Sequence, residues 1–119
     1  MITKSFDRAD ETRTPDKSEV NVVKLGDVSA ARMQMQPGWR WSECIKPLVG
    51  TDSCEKRHVG VAIAGRLGVK QDDGSEGEIG PGDAYVLDPG HDAWVVGEDE
   101  FVCYEFESDT AQHYAEVKS

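Results

Sequence analysis

The run RHVGVAIAG at residues 57–65 decides how the rest of the chain is read. Read as a strand, it places His58, Gly60, Ala62 and Ala64 on one face and Val59, Val61 and Ile63 on the other. The histidine face is built of small side chains, which leave volume above an imidazole as a ligand cavity requires; a filled core would carry Leu or Phe there. The branched face needs a cover, from another strand, a second sheet or a partner subunit, and a homodimer is expected on that ground.

Outward from this strand the same pattern repeats. Short apolar runs occur at VNVVKL (20–25), AARMQMQ (30–36), RLGVKQ (66–71), AYVLD (84–88), AWVVG (93–97) and FVCYEF (101–106). Between them stand Pro37-Gly38, Asp73-Gly74, Pro81-Gly82-Asp83 and Pro89-Gly90, dipeptides and tripeptides that supply fixed or positive φ for chain reversal. No long stretch holds apolar residues at helical spacing, apart from a weak pattern in the tail TAQHYAEVK. An all-β sandwich or barrel follows, as one domain. Residues 1–19 read as a polar N-terminal arm, flexible or draped, 20–106 as the β-barrel and 107–119 as a polar C-terminal tail, in which His113 reads as a solvated side chain.

The chain has 119 residues and a formal net charge of −10, from 23 acidic and 13 basic side chains. Such a surface repels a phosphate backbone, and no basic patch offsets it, so nucleic acid is not an expected partner. There is no apolar signal segment at the start and no run long enough to span a bilayer, so a cytoplasmic protein with no membrane partner is expected. Three cysteines, with no CxxC, make poor material for a disulfide framework. Cys44 and Cys103 read as buried small residues and are assigned no role.

Cys54 precedes His58 by four residues, and His91 follows Pro89-Gly90 into an aromatic strand. One thiolate and two imidazoles form a ligand set for a divalent metal ion, Zn²⁺ first and Fe²⁺ or Ni²⁺ next, with a coordination position left open. The plain alternative is that Cys54 is a small core residue and both histidines are satisfied by hydrogen bonds. Around this set, Trp39 and Trp41 lie two apart and would share a strand face as an apolar wall, with Trp94 as an opposite wall. Lys46 and Arg40 carry charge suited to an anion. Asp92 is placed to orient His91 or to cap a turn, and Glu43 and Glu105 are the carboxylates considered for proton transfer; the catalytic residue itself is unassigned.

The segments PGWRWSE (37–43), Cys54…His58…Gly65, Asp73-Gly74, Pro81-Gly82-Asp83 and PGHDAW (89–94) resemble the cupin superfamily over about residues 20–106. The resemblance implies a single-domain jelly-roll β-barrel whose two motifs bring metal ligands together inside. It puts His58 where the family's first motif has Glu, because Gly65 follows seven residues on. It also puts Cys54 and Asp52 where the two preceding histidines stand, and Ala93 where the second motif has its histidine, with His91 two residues earlier and so on the same strand face. Fold carries over better than function. Three functions are expected: a metal-binding domain that binds or senses a small, possibly anionic molecule; a metal-dependent hydrolase, isomerase or oxygenase acting on a small carboxylate or carbonyl compound; or a metal-free dimeric scaffold.

Overall fold

The computed structural model describes residues 1–106. Every apolar run noted above forms strand: β2 (Ser18–Leu25), β3 (Val28–Met35), β4 (His58–Ala64), β5 (Leu67–Gln71), β7 (Ala84–Leu87), β8 (His91–Val95) and β9 (Phe101–Phe106). Two further strands, β1 (Glu11–Arg13) and β6 (Glu76–Ile79), are polar and carried no apolar signal. The tail pattern and His113 lie outside the described residues.

The strands make two antiparallel sheets. The larger runs in the order β1-β2-β3-β9-β4-β7, the smaller β6-β5-β8. Their inner faces meet in one core, with Val20, Val22, Met33, Met35, Phe101 and Cys103 from the first and Leu67, Val69, Ala93 and Val95 from the second. Burying a side chain such as Phe101 removes enough apolar surface to contribute about 1.5–3 kcal/mol. The result is a jelly roll left open, since no named strand of one sheet pairs with a named strand of the other.

The turn glycines do what their neighbours suggest: Gly38, Gly74, Gly82 and Gly90 all have φ between 87° and 96°, where a side chain would be strained. At the end of β4 a bulge sets Ala62 opposite Cys103 and Ala64 opposite Val102, so two steps on β4 match one on β9. The strict alternation expected through Ala64 therefore stops at Ala62. Ala62 is buried, whereas Ala64 is exposed.

Two other local readings change. Trp39 and Trp41 are both buried, but they do not share a strand: Trp41 opens a short helix α1 (Trp41–Cys44), followed by α2 (Lys46–Val49) with Pro47 in its first turn. The Asp92 carboxylate accepts hydrogen bonds from the Ser42 backbone N–H (3.1 Å) and hydroxyl (3.0 Å), which satisfies donors at the start of α1. The N-terminal arm is draped over the larger sheet. β1 pairs with β2, and Phe6 in a short 3₁₀ turn (Phe6–Arg8) stacks on Tyr104, with ring centres 5.2 Å apart. Among the described residues no helix is long and apolar enough to cross a membrane.

On the outer face of the smaller sheet Trp94 lies across Gly68, and the Arg40 guanidinium sits over the indole, 4.7 Å from the ring centre. A Cβ on Gly68 would fall 2.4 Å from Trp94 Cε2, while one on Gly77 would meet nothing within 4 Å. Gly68→Ala is expected to destabilise the fold by about 1–3 kcal/mol through overpacking, with Gly77→Ala close to neutral. Urea unfolding midpoints of the two variants check this, and equal midpoints would refute the stacking account.

Candidate metal centre

The site begins with a backbone clasp between two segments that are distant in sequence. The Cys54 N–H donates to the His91 carbonyl at 2.7 Å, and the Cys54 carbonyl accepts from the N–H groups of Gly90 (2.7 Å) and His91 (3.3 Å). This isolated bridge brings the first residues of β8 against the loop before β4. His58 enters from the opposite sheet as the first residue of β4.

The three side chains converge in the interior. All are buried, and the ligating atoms of Cys54, His58 and His91 lie within 4.8 Å of one another. A tetrahedral Zn²⁺ with ordinary bond lengths holds S and N ligands about 3.6 Å apart and two N ligands about 3.3 Å apart. Cys54 Sγ is already 3.4 Å from His58 Nε2, so small side-chain rotations suffice for the rest.

Each imidazole is oriented through its other nitrogen. His91 Nδ1 lies 2.8 Å from the Asp88 carbonyl, which only accepts, so the Nδ1 proton is fixed there and Nε2 is free to ligate. His58 Nδ1 lies 3.0 Å from Glu105 Oε1. Tyr85 donates its hydroxyl to Glu105 Oε2 at 2.8 Å, so both carboxylate oxygens are engaged. Outer partners of this kind are what metal-bound histidines ordinarily have.

Gly60 makes the Tyr85–Glu105 hydrogen bond possible. On β4 it stands directly between Glu105 of β9 and Tyr85 of β7. A Cβ there would lie 2.8 Å from Glu105 Cγ and 3.0 Å from the Tyr85 hydroxyl oxygen. The small residue that suggested empty space above His58 thus serves to let two neighbours meet across it.

The electrostatics follow from burial and pairing. Burial works against a Cys54 thiolate, but hydrogen bonds and charge from His58 and His91 outweigh it and bring the thiol down to about 6. Burial likewise works against a charged His58, yet the Glu105 charge and the Cys54 hydrogen bond raise it to about 10. Without metal the pair is therefore a thiolate and an imidazolium at neutral pH. Burial, with Cys103 and Glu105 close by, pushes the Tyr85 hydroxyl far above its usual range, so it remains a donor. Burial and Glu105 also raise the Cys103 thiol, which stays protonated.

The cavity beside these groups is small, about 30 Å³, and mostly apolar; Met33, Met35, Leu87 and Phe101 line it together with Trp39 and Trp41. Of the other residues considered from sequence, Lys46, Asp52, Asp92 and Trp94 lie outside its lining. Asp52 is fully exposed and sits 3.7 Å from Lys46 in a surface pair, so neither reaches the ligands. Asp92 orients Arg40 (3.1 Å) and caps α1 in place of His91. Trp94 shares Asp92's strand face, opposite to the buried face of His91 and Ala93. Glu43 is exposed on α1, whereas Glu105 is 3% exposed and belongs to the site. Tyr85 had no sequence signal beyond its strand parity. Cys44 and Cys103 are buried, free thiols.

No family model and no curated protein matches the chain. Solved structures do. A structural-genomics protein of unknown function from Rhizobium leguminosarum superposes with a TM-score of 0.63 at 19% identity, covering 89% of this chain and 94% of that one. A cupin 2 conserved barrel domain protein from Salinispora arenicola matches with a TM-score of 0.62 at 16% identity over 97% and 96% of the two chains. A sugar phosphate isomerase from a cupin superfamily, from Silicibacter pomeroyi, gives 0.62 at 16% identity over 88% and 74%. At these identities the likeness concerns the fold.

An ion that replaces the Nε2 proton of His58 must displace it, since His58 holds that proton up to about pH 10 while Cys54 has already lost its own above about pH 6. Metal uptake at pH 7 is therefore expected to release about one proton from His58. Calorimetric titration with Zn²⁺ in buffers of differing ionisation enthalpy reads the number of protons released, with about one expected from the Cys54–His58 pair. A binding heat independent of the buffer would contradict the thiolate–imidazolium pair.

Proposed function

We propose, for a chain that has the cupin fold, that it is a metal-binding domain which holds one divalent ion on Cys54, His58 and His91 and presents it to a small molecule in the interior. The observation that carries this reading is the convergence of three buried ligands, two of them already oriented through Nδ1 by Asp88 and Glu105. The mixed sulfur and nitrogen set suits Zn²⁺ best. Bound there, such an ion supplies a Lewis acid with an open position, able to polarise an oxygen atom.

Charge supports the same reading. A divalent ion in place of the His58 proton adds one positive charge beside the buried Cys54 sulfur and the Glu105 carboxylate, which lowers the cost of keeping those groups out of water. A reducing compartment such as the cytoplasm suits a site that depends on a free thiolate. Binding or sensing fits better than turnover, because Glu105, the buried carboxylate at the site, has both oxygens committed to Tyr85 and His58. The enzyme alternative needs a further proton-transfer group at the cavity.

A homodimer remains part of the proposal, with a second copy seated on the outer face of β4, β7 and β9. Strand positions on that face are Val59, Val61, Ile63, Val86, Val102, Tyr104 and Phe106, without a charge. Ile63, Val86 and Phe106 are each about half exposed, at 49%, 53% and 47%. Two copies of a chain with net charge −10 repel each other least across an uncharged face, and among the described residues no strand pairs with the outer edge of β7.

Elemental mass spectrometry on untagged protein tests the metal site. About one ion per chain is expected in the wild type and under a tenth of that in His58→Ala or Cys54→Ser, with circular dichroism showing all three folded. Equal, negligible metal in all three would overturn the assignment. For the dimer, Val86→Lys with Ile63→Lys is expected to halve the mass measured by light scattering after gel filtration; an unchanged mass would remove the face from consideration.

A further inference from the structure

Trp39 lines the cavity, is 2% exposed, and its indole Nε1–H meets no acceptor; among the described residues it is the buried side-chain polar atom left in that condition. Its ring has little freedom to look elsewhere. The Trp39 backbone is held at both ends, its N–H to the Gln36 carbonyl at 3.0 Å and its carbonyl by the Val95 N–H at 3.0 Å. Buried donors nearly always have a partner, and when protein supplies none the partner is a water or another small molecule held in the cavity.

Three further observations limit that guest. The cavity of about 30 Å³ has room for two or three water-sized volumes, part of which an ion on Cys54, His58 and His91 would share, hence a molecule of at most about four heavy atoms. The remaining lining is Met33, Met35, Leu67, Leu87, Ala93 and Phe101, which favours an apolar body. Among the described residues no Lys or Arg lines the cavity, while the Glu105 carboxylate does, so an anion entering it would meet a buried carboxylate and no basic side chain to pair with.

We infer that the molecule taken up is small and uncharged, with one hydrogen-bond acceptor that meets Trp39 Nε1–H: a short ketone, aldehyde or alcohol in chemical class. The inference rests on the metal-binding reading for what else occupies the cavity, and it narrows the small, possibly anionic molecule expected from sequence to a neutral one. Trp39 is then the residue that selects for an acceptor, because an analogue without one leaves its N–H unpaired. The anion-binding role considered for Lys46 and Arg40 falls away, since one is paired with Asp52 and the other with Asp92 on the surface.

The test uses the indole N–H resonances of the three tryptophans in the ¹⁵N-labelled 119-residue chain, with Trp39 assigned by its absence in Trp39→Phe. Acetone, acetate and isobutene are the probes, alike in shape and size but respectively a neutral acceptor, an anion and neither. Acetone is expected to shift the Trp39 resonance downfield in a saturable titration, and acetate and isobutene to leave it in place. By cavity-lining methyl shifts, acetone should bind Trp39→Phe about three- to tenfold more weakly, as loss of one hydrogen bond requires. The metal content of that variant should equal the wild type's. Equal acetone affinity in the two proteins, or tighter binding of acetate than of acetone, would overturn the inference. Failure of the metal reading shows separately, as absent metal in the elemental measurement, and leaves the indole titration interpretable.

Discussion

The hydrogen bond from His58 to the buried Glu105 carboxylate is the interaction on which the interior depends. A carboxylate taken out of water is costly unless both oxygens are engaged, and here they are engaged from two strands at once. That requirement explains why β4 has glycine at position 60, where Glu105 and Tyr85 meet across the strand. It also explains why His58 points Nε2 inward, and why a thiol beside it is held as thiolate despite being buried. Remove the carboxylate and the histidine loses its orientation, the tyrosine its acceptor and the cysteine its counter-charge.

The two sheets divide the labour. The larger sheet supplies the charged array of His58, Glu105 and Tyr85 from β4, β9 and β7. The smaller sheet supplies His91 and, through the backbone clasp, Cys54. The outer faces are used differently: Trp94, Arg40 and Asp92 form a stacked and ion-paired surface on one, while on the other the N-terminal arm covers Tyr104 and pairs with Arg32, leaving aliphatic side chains of β4 and β7 exposed. Polar residues that look functional in the sequence because they flank the histidines are thereby diverted to structural work on the exterior.

Much of this was legible in the sequence, for reasons that are local. Apolar runs between Pro-Gly and Asp-Gly turns located the strands, and strand parity placed His58, His91 and Ala93 on inward faces. The same parity excludes Trp94 and Asp92 from the cavity, since each is an odd number of residues from His91 on one strand. Lys46 and Asp52 were harder, because α1 and α2 interrupt what reads as extended chain and carry them to the surface. β1 and β6 were hidden because edge strands with polar side chains are specified by pairing and carry no apolar alternation. Tyr85 and Glu105 could not be linked to His58 from the sequence, because cross-strand neighbours are set by register between segments 20 or more residues apart.

The clasp between Cys54 and His91 belongs to one layer and His58 to the other, and no named strand hydrogen-bonds the layers together. An ion bound by all three would be a stitch through the sandwich, joining layers that otherwise adhere by apolar contact and by the polar contact of Cys54 with His58. Its binding energy would then be felt mechanically as well as thermodynamically: the sheets could not part without first giving up a metal bond, and the loaded protein would open far more slowly than the empty one.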